Sequence, residues 1–125
     1  MMVFPFDPVE TILVDRRRIA TLCRLHGLRN AETYLAERVR EISQDLEQID
    51  RIYHSGSAES MAAHAQVLSE SAAEIGLTTL ARVARDVAIC ARSGDGVAFA
   101  AVWARLGRAG ALSIRQLWVA SGLQM

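Results

Sequence analysis

The sequence predicts an all-α protein, an antiparallel up-and-down four-helix bundle with a short extra N-terminal helix. Apolar residues recur in steps of three and four along most of the chain, which is the spacing of one buried helix face. The only prolines, Pro5 and Pro8, lie near the N-terminus, so proline interrupts none of the later helices. Glycines and small polar residues stand between the periodic segments, where they end or cap helices. These observations favour helices packed into one bundle.

The length of 125 residues predicts a single domain, 1–125, in which residues 1–13 form an N-terminal arm. The arm carries Phe4 and Phe6 between and beside the prolines, and we expect it to lay these aromatic side chains against the bundle. Half of all residues are hydrophobic, which is enough for a continuous core.

The charges exclude some classes of function. Fourteen basic residues, all of them arginine, balance fourteen acidic ones, so the formal net charge is zero. A general nucleic-acid binder or a protein of anionic membrane surfaces normally shows a basic excess. We therefore expect neither nucleic acid nor membrane as a partner.

The N-terminus lacks the charged region and cleavage site of a signal peptide, and no run of 18 apolar residues occurs. These features predict a cytoplasmic protein. Cys23 and Cys90 each lie on an apolar helical stripe and are predicted to be free buried thiols.

Capping residues mark where the helices begin. The five candidates are Asp15, Asn30, Ser57, Thr78 and Asp95. The first helix should end at Gly27 and bury Leu25 among its apolar residues, and the helix from Asn30 should run to Tyr53. Three carboxylates on that helix, Glu37, Glu41 and Asp45, resemble a metal-binding row, but arginines interleave them and no metal site is predicted.

The helix between Ser57 and Gly76 organises the rest of the chain. Its predicted buried stripe repeats at steps of four and three, and consists of Met61, Ala65, Leu68, Ala72 and Ile75. At about 100° per residue, five other residues are expected together on the solvent side, namely Ala62, Gln66, Ser69, Glu70 and Ala73. Such a short, flat face suits the approach of another protein.

The same helix resembles the phosphoacceptor helix of histidine-phosphotransfer (HPt) domains, the four-helix carriers of two-component phosphorelays. The residues that match that helix are Ala65, Leu68, Ala72, Ile75 and Gly76. In this register Gln66 stands at the phosphoacceptor position, and Ser69 and Glu70 stand where the family has lysine and glycine. The resemblance covers about residues 14–118, and the phosphoacceptor position is degenerate.

The resemblance implies a role in phosphorelay signalling. A glutamine amide is not a usable nucleophile, because its nitrogen lone pair is delocalised into the carbonyl, and Glu70 adds a negative charge where phosphate would arrive. The chain is therefore expected to be a non-phosphorylatable adaptor, without catalytic residue, cofactor or metal. It would dock the receiver domain of a response regulator or a histidine kinase through the five solvent-side residues of the central helix.

Two alternatives stay open. The chain is an active phosphocarrier if the register shifts so that His64 becomes the acceptor. It is instead a structural, self-associating bundle if its small-residue face packs a second copy, which would make it a homodimer. An ordinary enzyme is not predicted, because the sequence has no serine elbow, phosphate-binding glycine loop or metal-ligand cluster.

Overall fold

The structure, a computed structural model, describes residues 12–123. Within that range the chain forms four helices and no strand: α1 (Arg16–Ser55), α2 (Ala58–Glu74), α3 (Thr78–Ser93) and α4 (Gly96–Ser121). The prediction of an all-α protein with four main helices is confirmed. Most of the predicted N-terminal arm, residues 1–11 with both phenylalanines, lies outside the described residues.

A glycine bends the first helix. Gly27 has φ 79° and ψ 156°, a conformation that essentially only glycine adopts, so α1 changes direction there. The sequence correctly placed a break at Gly27. However, Asn30 lies within the helical segment that follows Gly27 and does not cap it, and Leu25 is 72% exposed, so this cap and the burial of Leu25 are wrong predictions.

Three of the predicted caps are confirmed. The side chains of Asp15, Ser57 and Asp95 each accept hydrogen bonds from backbone N–H groups in the first turn of α1, α2 and α4. Thr78 is not a cap, because α3 begins at Thr78 itself and no side chain caps it.

The core draws on all four helices. Its largest fully buried side chains are Ile19, Leu35, Ile42, Ile49, Leu68, Ile75, Leu77, Leu80, Leu106, Leu117, Val83 and Val87. The predicted stripe of α2 is confirmed, because none of its five residues is more than 3% exposed. Burial of these side chains is the main source of stability, at about 25 cal/mol per Å² of apolar surface.

The contacts between helices show which helices are neighbours in the bundle. Of the four helix pairs in contact, α2 and α3 share the most extensive contact and α1 and α4 the least. Tyr53 of α1 stacks on Phe99 and Trp103 of α4, with ring centroids 5.6 and 4.6 Å apart. Further along the same pair, a Cβ atom at Gly110 would come within 2.9 Å of Leu46 Cδ1, so glycine permits the close approach.

The chain enters the bundle beside the turn between α2 and α3. Leu13 and Thr79 exchange two hydrogen bonds, because the Leu13 N–H donates to Thr79 Oγ1 (2.7 Å) and the Thr79 N–H donates to the Leu13 carbonyl (3.2 Å). The Asp15 N–H also donates to the Gly76 carbonyl at 2.7 Å. Gly76 has φ 82° and lies close to Asp15, which explains why glycine stands at this turn.

Candidate docking face on helix α2

The position of α3 decides which side of α2 meets solvent. Ala62 is fully buried and Ser69 is 3% exposed, so the prediction that all five chosen residues lie on the solvent side is wrong for these two. Ser69 faces α3, where its Oγ donates a 2.8 Å hydrogen bond to the Ala81 carbonyl, and Ala62, seven residues earlier, lies on the same side of α2. Their small side chains allow α3 to pack closely, so the solvent face is rotated toward α1.

Three of the five predicted residues reach solvent. Glu70 and Ala73 are exposed and Gln66 is half-buried. Ala63 is exposed beside them, and Val67 is 54% exposed. We call this set the outer face of α2; it consists of Ala63, Gln66, Val67, Glu70 and Ala73. Apart from Gln66 and Glu70, the residues of this face have short apolar side chains.

Gln66 has a fixed partner on the outer face. Its Nε2 donates to Glu70 Oε2, one helical turn later, at 3.2 Å. The bond directs the amide nitrogen toward the Glu70 carboxylate, and the amide oxygen can only accept hydrogen bonds. Neither the amide nitrogen nor the amide oxygen of Gln66 can attack a phosphoryl centre. The pair can instead offer hydrogen-bond donors and acceptors, and one negative charge, to a docked protein.

His64 lies at the seam between α2 and α1, not on the outer face. Its ring is half-buried, and Nδ1 lies 2.9 Å from the Ser60 carbonyl oxygen. Because a carbonyl can only accept, Nδ1 carries the hydrogen, and in the neutral ring the lone pair is on Nε2. His64 therefore has the tautomer that a nucleophilic imidazole needs.

The electrostatic environment of His64 is unfavourable for an anion. Asp45 of α1 is near enough to interact with it: burial raises the pKa of the Asp45 carboxyl, repulsion from Glu41 raises it further, and His64 partly opposes both effects. When ionised, the Asp45 carboxyl near the imidazole repels an incoming phosphate. His64 thus has a nitrogen that could accept a phosphoryl group, but its electrostatic surroundings oppose the approach of phosphate.

An aromatic cluster at the C-terminal end of α2 was not predicted. The His26 ring stacks on Tyr34 with centroids 4.1 Å apart, and the Arg38 guanidinium lies 5.4 Å from the Tyr34 centroid. Tyr34 Oη donates to Glu74 Oε2 at 3.3 Å. Burial raises the pKa of the Tyr34 hydroxyl, as does Glu74, while Arg38 and Arg18 lower it. Helical spacing cannot reveal a contact made across the bend at Gly27.

The rest of the described chain offers few other sites. A cavity of about 240 Å³ lies between the α1–α2 and α3–α4 turns, with Met61, Cys90 and Phe99 in its wall. Residues 12–123 contain no group of three or more His, Cys, Asp or Glu side chains that could hold a metal ion. Cys23 and Cys90 are free, as expected, but they are half-buried and not fully buried.

One helix meets the length and composition of a membrane span. α4 has a mean hydropathy of 1.3 over an 18-residue window, of which 22% is buried. This is weak evidence, because the core helix of a soluble protein meets the same criterion.

Comparison with known proteins identified no relative. No protein-family model, no curated protein and no solved structure matches the chain.

Proposed function

We propose that this chain is an HPt-like adaptor of two-component phosphorelay signalling that binds phosphorelay partners but carries no phosphate itself. Its partner is the receiver domain of a response regulator or a histidine kinase, and it docks through the outer face of α2. One observation carries the proposal: Gln66, at the position where resembling domains have the phosphoacceptor histidine, lies mid-helix on a low face and is hydrogen-bonded to Glu70.

The proposal includes a finer arrangement of the bundle. The four helices run antiparallel, up and down, and residues 16–26 act as the short extra N-terminal helix before the bend at Gly27. Support comes from contacts between opposite ends of neighbouring helices. Tyr53, near the end of α1, stacks on Phe99, near the start of α4, and Tyr34, in the part of α1 just after Gly27, bonds to Glu74 at the end of α2. The connections between helices are short, which favours antiparallel neighbours.

The chemistry of the outer face suits binding and not transfer. A receiver domain offers an aspartyl phosphate to a nucleophile held in line with it. Gln66 supplies no nucleophile, and Glu70 adds negative charge beside the place of attack. Ala63, Val67 and Ala73 leave a low apolar surface that another protein can cover. Transient signalling interfaces of this kind often bury less than about 1,200 Å².

The first test presents the purified chain with a panel of receiver domains charged by acetyl phosphate and with histidine-kinase dimerisation domains. We expect at least one domain to bind while the intact mass of the chain stays unchanged. Gln66→Arg should weaken binding by about tenfold or more without lowering the free energy of unfolding. Gln44→Arg, at an exposed glutamine of α1, is the matched control and should bind normally. Absence of binding across the panel would refute the adaptor role.

A second test restores the missing chemistry. The double variant Gln66→His/Glu70→Gly removes the carboxylate and places an imidazole on the outer face. If a charged receiver docks there, this variant should gain one phosphate that is labile in acid and stable in base. The single variant Gln66→Arg should gain none.

A second candidate function rests on the hydrogen bond of His64. With Nδ1 bonded to Ser60, His64 Nε2 is the available nitrogen, as an active phosphocarrier requires. The nearby Asp45 carboxyl makes this the weaker candidate. A phosphate gain by the unaltered chain that disappears in His64→Gln would favour the carrier over the adaptor.

The proposed location is the cytoplasm, where receiver domains and kinase catalytic regions act. No nucleic acid, membrane or cofactor is part of the proposal.

A further inference from the structure

The face of α4 beside α1 leaves a row of small residues exposed to solvent. Four exposed small residues follow one side of the helix, and we call them the α4 strip: Ala100, Ala104, Gly107 and Ala111. Next to the strip, a groove of about 720 Å³ separates α4 from α1. Leu46, Trp103 and Ile114 form its floor. A soluble chain rarely leaves such a continuous apolar surface free.

Opposite charges border the two edges of this surface. α4 has three arginines and no acidic residue. At about 100° per residue, Arg108 and Arg115 lie on the edge of the strip away from α1. Both are exposed, and neither forms an ion pair with residues 12–123. Glu47 and Asp50 of α1 border the groove on the other edge. Arg51 also borders it, and its guanidinium donates to Gln48.

The charges also lie at matching heights along the helices. Tyr53 contacts Trp103, and Leu46 lies against Gly110. Glu47 and Asp50 fall between these two contacts on α1, as Arg108 does on α4. The basic edge and the acidic edge are therefore level with each other on opposite sides of the strip.

We propose that a second copy of this chain covers this face, with α4 packed on α4 in parallel around a two-fold axis that runs along the helices. Rotation about that axis brings Arg108 of each copy to the acidic edge of the other at the same height. An axis perpendicular to the helices would instead bring arginine edges together, and like charges oppose contact. The small residues of the strip let the two helices approach closely. Such an interface uses the same patch on both copies.

A charge-exchange experiment tests the interface directly. Sedimentation equilibrium of the unaltered chain should show a mass that rises with concentration toward twice that of one chain. Arg108→Glu should weaken association by at least about tenfold, because the symmetric interface loses two contacts. Glu47→Arg with Asp50→Arg should weaken it similarly, and combining all three substitutions should restore it. Arg85→Glu, at an exposed arginine of α3, is the matched control and should change nothing.

Cysteine crosslinking tests the parallel direction. In a chain carrying Cys23→Ser and Cys90→Ser, Ala104→Cys and Ala111→Cys should each form a disulfide between copies, because a parallel axis sets each residue opposite itself. Crosslinking at only one of them would indicate an antiparallel pair and overturn the proposal. So would a single-chain mass at every concentration, failure of the exchanged charges to restore association, or binding of the single chain to phosphatidylcholine vesicles through α4. None of these substitutions lies on α2, so the outcome is independent of the adaptor test.

Discussion

Ser69 of α2 and Ala81 of α3 are joined by a buried hydrogen bond, in which Ser69 Oγ donates to the Ala81 carbonyl at 2.8 Å. The bond bridges the two helices that share the most extensive contact in the bundle. In the register of the proposed HPt-like adaptor, Ser69 stands where that family has lysine, and here the residue is buried against α3.

Loss of this bond should lower stability. We expect Ser69→Ala to reduce the free energy of unfolding by about 1 kcal/mol relative to Ser71→Ala, because both variants gain the same helix propensity and only the first loses a buried bond. Urea denaturation followed by circular dichroism measures the difference. Ser69→Lys should cost more than about 3 kcal/mol, because it places a charge between two helices. A well-folded Ser69→Lys variant would contradict the burial of this position.

The bend at Gly27 should tolerate no side chain. Its φ of 79° with ψ of 156° is strained for any other residue, although no atom lies within 4 Å of a Cβ built there. Gly27→Ala should therefore destabilise the protein by about 1–3 kcal/mol through backbone strain alone. Gly96→Ala is the control, since that position is equally open and has no positive φ. It should change stability by no more than about 0.5 kcal/mol. Equal effects of the two substitutions would mean that α1 does not bend as described.

Asp45 should make stability depend on pH in a defined direction. Burial and the neighbouring Glu41 raise the pKa of this carboxyl, so the folded state holds the proton more tightly than the unfolded state does. The contribution of Asp45 to stability therefore falls as pH rises from the ordinary pKa of an aspartate through the raised one. Asp45→Asn should stabilise the protein at neutral pH by about 0.5 kcal/mol or less, and the gain should vanish in acid.

Thermal unfolding at a series of pH values measures this gain. Glu37→Gln, at an exposed carboxylate on the same helix, is the control and should give a smaller difference. His64→Gln in the Asp45→Asn background separates the contribution of the imidazole. A gain that grows toward acid pH would show that the sign of the shift is wrong.

Thr79 should hold the segment that precedes α1 in place. Thr79→Val preserves the shape of the side chain but removes the oxygen that accepts from the Leu13 N–H. An unpaired donor costs about 1–3 kcal/mol when it is buried, and the lower end applies because Leu13 is 51% exposed. Amide hydrogen exchange at Leu13 should become faster, while exchange in α3 should not change. Thr78→Val, at the exposed neighbouring threonine, is the control.

The sequence predicts the burial of large apolar residues well and the burial of small residues poorly. Leu68 and Ile75 are too apolar to face water, so helical spacing alone located the buried stripe of α2. Ala62 and Ser69 are compatible with either environment, and their burial depends on where α3 packs. Spacing within one helix contains no information on that point.

The same reasoning explains the other differences. Leu25 has the right character for burial, but it is exposed two residues before the bend at Gly27. His26 and Tyr34 stack because that bend changes the relation between the two parts of α1, which a regular helix would not allow. Asp15, Ser57 and Asp95 were predictable as caps because a cap depends on residues within one turn.

The hydrogen bonds that hold the segment before α1 against α3 have a consequence for the synthesis of the protein. Leu13 and Thr79 are 66 positions apart, so the partner of Leu13 does not exist until 66 more residues have been translated. At about 5–20 residues per second, this interval lasts roughly 3–13 s. Throughout it, Ile19 lacks the Gly76 turn against which it packs in the finished protein. The first segment of α1 is therefore accessible to chaperones for several seconds before its packing partner has been made.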